Sequence, residues 1–355
     1  MHIRTSKRKN IKTNKSSYIS KVDKREWKIV TFLFVHDFWK EKYSMDGIIL
    51  INKQKGYTSH DAVNKVKHIL NEKVGHTGTL DPNATGLLPV LVGKGTKLSQ
   101  YLINHDKEYE VELKLGIKTN TADSEGKILE EKEVQESILE KENIQNILQS
   151  FIGKQKQVPP IYSAIKVNGK KLYEYARKNI DIELKPREIE IYKITLLDID
   201  KKENIVKFIV KCSKGTYIRS LCEDIAAKLG TVGYMKELDR LQVGVFKIED
   251  SIIIEELEKN KNNPEFLEKH IISIEKAFIQ IYGNANYIEL DEKKLELLYN
   301  GVKLKNNKTS GLYRIYDKQK NFIGIAKLEN GYLKREIWLW EFRDRFHFLN
   351  RLSSF

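Results

Sequence analysis

One stretch of the chain, GHTGTLDPNATG from Gly75 to Gly86, constrains the fold more than any other. Gly75, Gly78, Pro82, Asn83 and Gly86 favour bends or positive φ, so neither a helix nor a ladder strand is expected through it. The apolar run Leu87 to Val92 follows at once and reads as a buried strand. The chain must therefore fold so that core anchors a polar turn from one side. That turn carries a single carboxylate, Asp81. A carboxylate ahead of Pro serves as a former of side-chain-to-backbone turns, or as a functional group on a loop held by a scaffold. The loop alone leaves both readings open.

Charge narrows the partner. The chain has 355 residues and a formal net charge of +14, which favours a polyanion such as nucleic acid. Usage rich in Lys, Ile and Asn throughout offers a compositional explanation for the surplus. The length suits a main domain and a smaller second one. Cys212 and Cys222 have no Cys or His near them at ligand spacing, so neither a disulfide framework nor a zinc site is expected. The early apolar run Ile29 to Val35 is too short to span a bilayer, and no small-residue cleavage site follows it. The reading is a soluble, cytoplasmic protein.

Residues 1–44 carry 12 Lys or Arg against 4 Asp or Glu and hold no sustained period. They read as a basic RNA-binding arm or as a leader outside the fold, with Met45 opening the folded chain. Ile48 to Ile51 is a short strand. The turn NKQKGYTS follows, with Ser59 as the expected N-cap of a helix whose Ala62, Val63, Val66, Ile69 and Leu70 share a face. Thr96 is expected to cap a short helix ending near Ile103. Glu108 to Ile117 alternates most clearly, with Tyr109, Val111, Leu113, Leu115 and Ile117 inward and Glu108, Glu110, Glu112 and Lys114 outward. Tyr109 is then either core packing or a placed phenol.

TNTADSEG at 119–126 is loop chemistry, and 144–151 gives an amphipathic helix. VPPIYSAIKVNGKKLYEYARKN at 158–179 mixes Lys, Arg and Tyr over a Pro-led loop and a short helix. That mixture suits phosphate contact with base stacking, and equally a solvated face. Strands follow at 189–199 and 205–212. Lys214-Gly215 then turns into a helix whose Ile218, Leu221, Cys222, Ile225, Ala226 and Leu229 form one stripe, stopped by Gly230. Arg219 lies off the stripe in the first turn, where it opposes the helix dipole, either as a surface residue or as one held by an anion. A β segment from Leu241 to Val245, a helical connector at 251–271 and short strands over 272–340 follow, the last forming a small β-rich domain. Residues 341–355 read as a tail.

Four motifs, GHTGTLDPNATG, KEYEVELKLG, PPIYSAIKVNGKKLYEYAR and CSKGTYIRSL, resemble in the same order those of the TruB family of tRNA pseudouridine-55 synthases. The likeness runs from Met45 to Leu241, and 272–337 is similar to that family's PUA-like domain. The resemblance implies an α+β fold with a mixed, largely antiparallel central sheet flanked by helices. It places a catalytic domain at 45–250 and a PUA-like RNA-binding domain at 272–340. It implies an isomerase that flips uridine 55 out of the tRNA T-loop and converts it to pseudouridine, working as a monomer without metal, nucleotide or other cofactor. By the same resemblance Asp81 is the nucleophile, Tyr109 packs on the target base and serves in proton transfer, and Arg219 pairs with Asp81. Tyr217 and Leu238 line the uridine pocket, His76 fills the gap left by the flipped base, and Lys53 stands near the site. The family has Lys-Pro where this chain has Lys53-Gln54.

Elementary chemistry is consistent with those roles. The isomerisation breaks the bond from ribose to N1 and rebuilds it at C5 with no redox change and no leaving group. A carboxylate of pKa ~3.9 is ionised at neutral pH and can hold the intermediate, at C1′ or at C6 of the base. Arg219 would keep it ionised in a dry pocket, and His76 stacking would offset part of the extrusion cost. RNA recognition would rest on shape, phosphates and splayed bases. Two rivals stand beside this reading. One is a non-catalytic tRNA-binding protein or tRNA-folding chaperone. The other is a nucleotide-dependent enzyme, because GKGTK at 93–97 is similar to a phosphate loop, but it lacks the glycine spacing.

Overall fold

The computed structural model describes residues 45–102, 105–163, 165–167, 169–176, 180, 182 and 184–339. The basic leader at 1–44 and the tail at 341–355 lie outside the described residues, and so do both readings of the leader.

Alternating apolar residues build one sheet of ten strands. Its order is Ile271–Ser273, Gly47–Lys53, Thr85–Val92, Gly233–Val243, Lys107–Leu115, Ile205–Cys212, Arg187–Asp200 and Gly153–Gln157, with Val74–His76 added to 85–92 and Phe246–Lys247 to 233–243. Every strand pair in it is antiparallel except one, where Asp239 and Arg240 run parallel to Thr85 and Gly86. The sheet is thus mixed and largely antiparallel.

Strand 47–53 shows why it sits deep in the fold. Its period of two sends Ile49 and Ile51 to one side, against Ala62, Val63 and Val66 of the helix Ser59–Leu70 and against Leu257. Ile48 and Leu50 go to the other side, against Leu98, Phe278, Ile325 and Ile337. A third cluster joins Tyr109, Val111 and Leu113 to the stripe of the helix Ile218–Lys228 and to Ile144 and Leu148 of the helix Lys141–Gln149. Ile325 and Ile337 belong to a second sheet of five strands, ordered Tyr287–Glu289, Gly311–Tyr316, Phe322–Glu329, Tyr332–Trp338 and Leu304–Lys305. Among the described residues no helix is long and apolar enough to cross a membrane.

Several local expectations are corrected. Thr58, one residue before Ser59, caps the first helix: it accepts from Asp61 N at 3.0 Å, and its own N–H donates to Asp61 Oδ2 at 3.0 Å. This reciprocal box leaves Ser59 free for another task. Thr96 lies inside a 3₁₀ turn, Gly93–Leu98, and donates to Gly93 O at 2.8 Å, so it does not cap the short helix Ser99–Leu102. The strand bearing Tyr109 stops at Leu115, because Gly116 takes φ +86° and sends Ile117–Thr119 into a separate hairpin with Ile128–Glu131. The segment expected from Leu241 begins at Gly233. Lys236, Glu237, Asp239 and Arg240 conceal its alternation, and the register slips twice along it.

Candidate active site

The Asp81 loop emerges from a fork in the large sheet. Along one edge of strand 85–92, Asp239 and Arg240 flank Thr85 and Gly86, while Val74 to His76 flank Val90 to Val92. Residues 77–84 fill the gap between these two neighbours. Gly75 and Gly86, expected in the turn, therefore lie in strands at its ends. Gly86 is required there: its φ is +100°, and a Cβ would stand 2.3 Å from Asp239 Oδ1 and 2.5 Å from Arg240 N.

Buried side chains then hold the loop by its backbone. Ser59 Oγ accepts from Leu80 N at 2.7 Å and donates to Leu80 O at 3.0 Å. Lys53, fully buried, donates from Nζ to Tyr57 O at 2.6 Å, Gln54 O at 3.1 Å and Pro82 O at 3.2 Å. Gly56 N also donates to Pro82 O, at 3.0 Å. The turn after Lys53 thus closes without the proline of the family motif. Burial lowers the Lys53 ammonium to about 8, with the Asp81 charge opposing. From the other side Arg240 donates through Nη2 to Gly78 O at 3.1 Å and through Nε to Leu87 O at 2.7 Å.

Asp81 itself meets Arg219 on two edges: Nε stands 3.1 Å from Oδ2 and Nη2 3.4 Å from Oδ1. The two are unequally exposed, the Asp81 side chain at 37% and the Arg219 side chain at 8%, so the carboxylate is open to a ligand while its counter-charge is not. Arg219 lies in the first turn of helix 218–228 and is buried because residues 157–163 cover that side. Its Nη2 donates to Tyr162 O at 2.9 Å, and its Nη1 donates to Thr121 O at 3.2 Å and lies 3.5 Å from Asp123 Oδ2. Burial raises the pKa of the Asp81 carboxyl above its ordinary value, Arg219 opposes this, and the Asp123 charge adds to it.

Tyr109 and Leu238 share one buried cluster with Leu80 and Ala84 of the loop. Burial pushes the Tyr109 hydroxyl up to about 12, against the pull of Arg240. His76 ends the short strand that leads into the loop, half-buried, and burial lowers its imidazole. Tyr217 precedes the Arg219 helix, with its N–H and C=O both taken by the Gln157 amide at 2.8 and 3.0 Å. Lys53 joins the group as a clamp on Pro82, with its three donors engaged.

Sequence reasoning missed Asp123 and Arg240. Asp123 sits in TNTADSEG, and its one available signal was Thr121, two residues before it, whose hydroxyl donates to Asp123 Oδ1 at 2.6 Å. Arg240 shares strand parity with Leu238, which is the only hint that it points inward. Among the described residues no cluster of three His, Cys, Asp or Glu is placed to hold a metal ion. The arrangement offers an accessible carboxylate, a buried cation behind it and a phenol beside it, which is the equipment of nucleophilic chemistry on an electrophilic carbon.

Solved structures with this architecture include a Cbf5-Nop10-Gar1 complex, with a TM-score of 0.59 and 28% identity over 81% of this chain and 79% of that one. An archaeal box H/ACA sRNP Nop10-Cbf5 complex matches with a TM-score of 0.60 and 25% identity, covering 84% of this chain and 87% of that one. Residues 67–218 match the family model described as TruB family pseudouridylate synthase (N terminal domain). Residues 219–279 match the tRNA pseudouridylate synthase B C-terminal domain, and residues 287–335 match pseudouridine synthase II TruB, C-terminal. Fold, site and matches together define a pseudouridine synthase, an isomerase. A protein of Clostridium perfringens (strain 13 / Type A) named tRNA pseudouridine synthase B is 45% identical over 305 residues, 84% of this chain and 100% of that relative. One of Clostridium kluyveri with the same name is 48% identical over 289 residues, 79% of this chain and 95% of that relative. The chain belongs to the TruB family of pseudouridylate synthases.

Proposed function

We propose that this chain converts uridine 55 in the T-loop of tRNA to pseudouridine, acting as a monomer in the cytoplasm on the T-arm. The observation that carries the reading is the half-open pair of Asp81 with a buried, multiply anchored Arg219. The names of the curated relatives support tRNA as the substrate, and the net charge of +14 suits its phosphates.

Asp81 is the nucleophile. Its carboxyl is more basic than a free one, which favours attack, and the guanidinium on both its oxygens keeps it charged. In the isomerisation the N1–C1′ bond breaks and the C5–C1′ bond forms; the proton lost from C5 is balanced by one gained at N1. Tyr109 packs on the base and serves that proton transfer, with Tyr217 and Leu238 lining the pocket. The His76 imidazole, lowered by burial, is neutral at physiological pH and suits the gap in the base stack. Lys53 holds the loop from beneath. A non-catalytic tRNA binder would not require a carboxylate held against a buried arginine.

The test is incubation of the purified chain with an unmodified T-arm stem-loop, without ATP or added metal, followed by base-selective detection of pseudouridine. Conversion by the wild type and none by Asp81→Asn, with stem-loop binding retained, is the expected result. Unchanged uridine, or equal turnover by the variant, overturns the reading. A chain beginning at Met45 is expected to keep full activity.

A further inference from the structure

Arg240 is the largest fully buried side chain among the described residues, at 1% exposure, and no carboxylate lies within ion-pair distance of it there. A buried cation without a counter-charge is costly unless its donors are well used. They are used on two elements. Nη2 donates to Gly78 O of the Asp81 loop at 3.1 Å, and Nε donates to Leu87 O of strand 85–92 at 2.7 Å. Across the sheet Arg240 pairs in register with Tyr109, so the two buried side chains are neighbours, and the guanidinium acts on that hydroxyl by charge. Asp81 acts on the same hydroxyl by charge.

A guanidinium has donors only. A hydroxyl set across the sheet from such an anchored cation turns its oxygen toward the guanidinium and its own proton away. We propose that Arg240 is a positioning residue for the isomerisation: it fixes the Tyr109 hydroxyl as an acceptor on its buried side, turns the phenolic proton toward the reaction pocket, and ties that orientation to the loop that carries Asp81. The proposal rests on the isomerase reading given above for what the pocket does, and on the buried contacts for the orientation itself.

The full chain provides the test. Arg240→Lys keeps the charge and loses the fork; Arg240→Met loses both. After thermal melting has checked each fold, single-turnover conversion at saturating T-arm stem-loop is compared in Tyr109 and Tyr109→Phe backgrounds. Arg240→Lys is expected to slow conversion by about tenfold or more with stem-loop Kd within about threefold, and to cost less than about twofold once Tyr109 is Phe. The same loss in both backgrounds makes Arg240 a packing residue and overturns the proposal.

A second readout does not use activity. With tyrosine carrying 13C at Cζ, the resonance missing from Tyr109→Phe identifies Tyr109, and it must move in Arg240→Lys. If it stays, the proposal fails whatever the rate does. Should both Arg240 variants unfold, Tyr109→Phe, which removes only a hydroxyl, must shift the Arg240 guanidinium 15N–H signals, and no shift is again fatal. A wild type that shows both couplings yet leaves uridine unconverted defeats the proposed function and leaves the Arg240–Tyr109 coupling standing.

Discussion

Among the described residues, two groups set an arginine, a tyrosine and a carboxylate around a buried guanidinium, and they are wired differently. In the five-stranded sheet Arg314 Nη1 donates to Tyr316 Oη at 2.9 Å, Tyr316 donates to Glu275 Oε1, and Arg314 Nη1 stands 3.9 Å from the same oxygen. The ring closes on itself, and Asn284 takes Arg314 Nη2 at 2.7 Å. In the large sheet the carboxylate and the tyrosine have separate cations: Arg219 pairs with Asp81, and Arg240 stands opposite Tyr109 in the strand register. Exposure does not tell the groups apart, since the Glu275 side chain is 35% exposed and that of Asp81 37%. Connectivity does. A closed ring uses its phenolic proton internally and stabilises a domain, whereas two open halves leave a carboxylate lone pair and a hydroxyl proton facing shared space.

The sharpest way to break this contrast is to neutralise both carboxylates. Asp81→Asn is expected to lower single-turnover conversion by at least about a thousandfold with T-arm binding retained. Glu275→Gln is expected to lower the melting temperature and leave conversion within about threefold. Comparable losses of conversion would erase the distinction. The next effect comes from Asp123, which holds Arg219 Nη1 from behind at 3.5 Å. Asp123→Asn frees the guanidinium to drift off Asp81, and a loss of about ten- to a hundredfold in conversion is expected from such misplacement. A rate equal to wild type would show that Tyr162 O and Thr121 O suffice to fix Arg219.

Proton linkage sharpens the same contrast. Burial raises the Asp81 pKa, so the acidic limb of the conversion rate must lie above the ~3.9 of a free Asp, with activity lost as pH falls through it. Arg219→Lys weakens the opposing guanidinium and should move that limb further up. A limb that moves down, or stays, contradicts the pair as the controlling contact. Arg314→Lys is expected to leave the limb where it was.

How much of this was legible in the sequence follows from how far apart the interacting residues lie. The alternation from Glu108 and the 218–228 stripe are local periods, and both appear, the first ending at Leu115 rather than at Ile117. Asp81, Tyr109 and Arg219 were legible because three ordered motifs deliver them. Arg240 was not, since its acceptors are 153 and 162 residues away, and a charged residue in a charged stretch of strand reads as solvated. Asp123 read as one more loop former. Ser59 was noticed for the wrong task, because its bond to Leu80 spans 21 residues and no local signal separates that from capping, which Thr58 performs. Without the motifs, Arg219 stays open between a surface residue and one held by an anion, because the segment that packs on its turn, 157–163, is far away in sequence.

The smallest predicted effect concerns Lys53, which distinguishes the open site from the closed ring by its response to alkali. Its ammonium is lowered from the ordinary 10.5 to about 8, chiefly by burial. Between those values the unfolded chain keeps a proton that the folded chain has released, so this residue makes stability rise with pH across the window. Deprotonation has a second consequence. A neutral amine has two N–H groups for the three carbonyls of Gln54, Tyr57 and Pro82, so the grip on the Asp81 loop loosens as the burial penalty is relieved. Melting temperature should therefore gain slightly above pH about 8 while conversion falls, two trends of opposite sign from one titration. Lys53→Met should remove both trends, and Glu275→Gln should leave both in place. Trends that persist in Lys53→Met would assign the titration to Lys107, which burial also lowers to about 8.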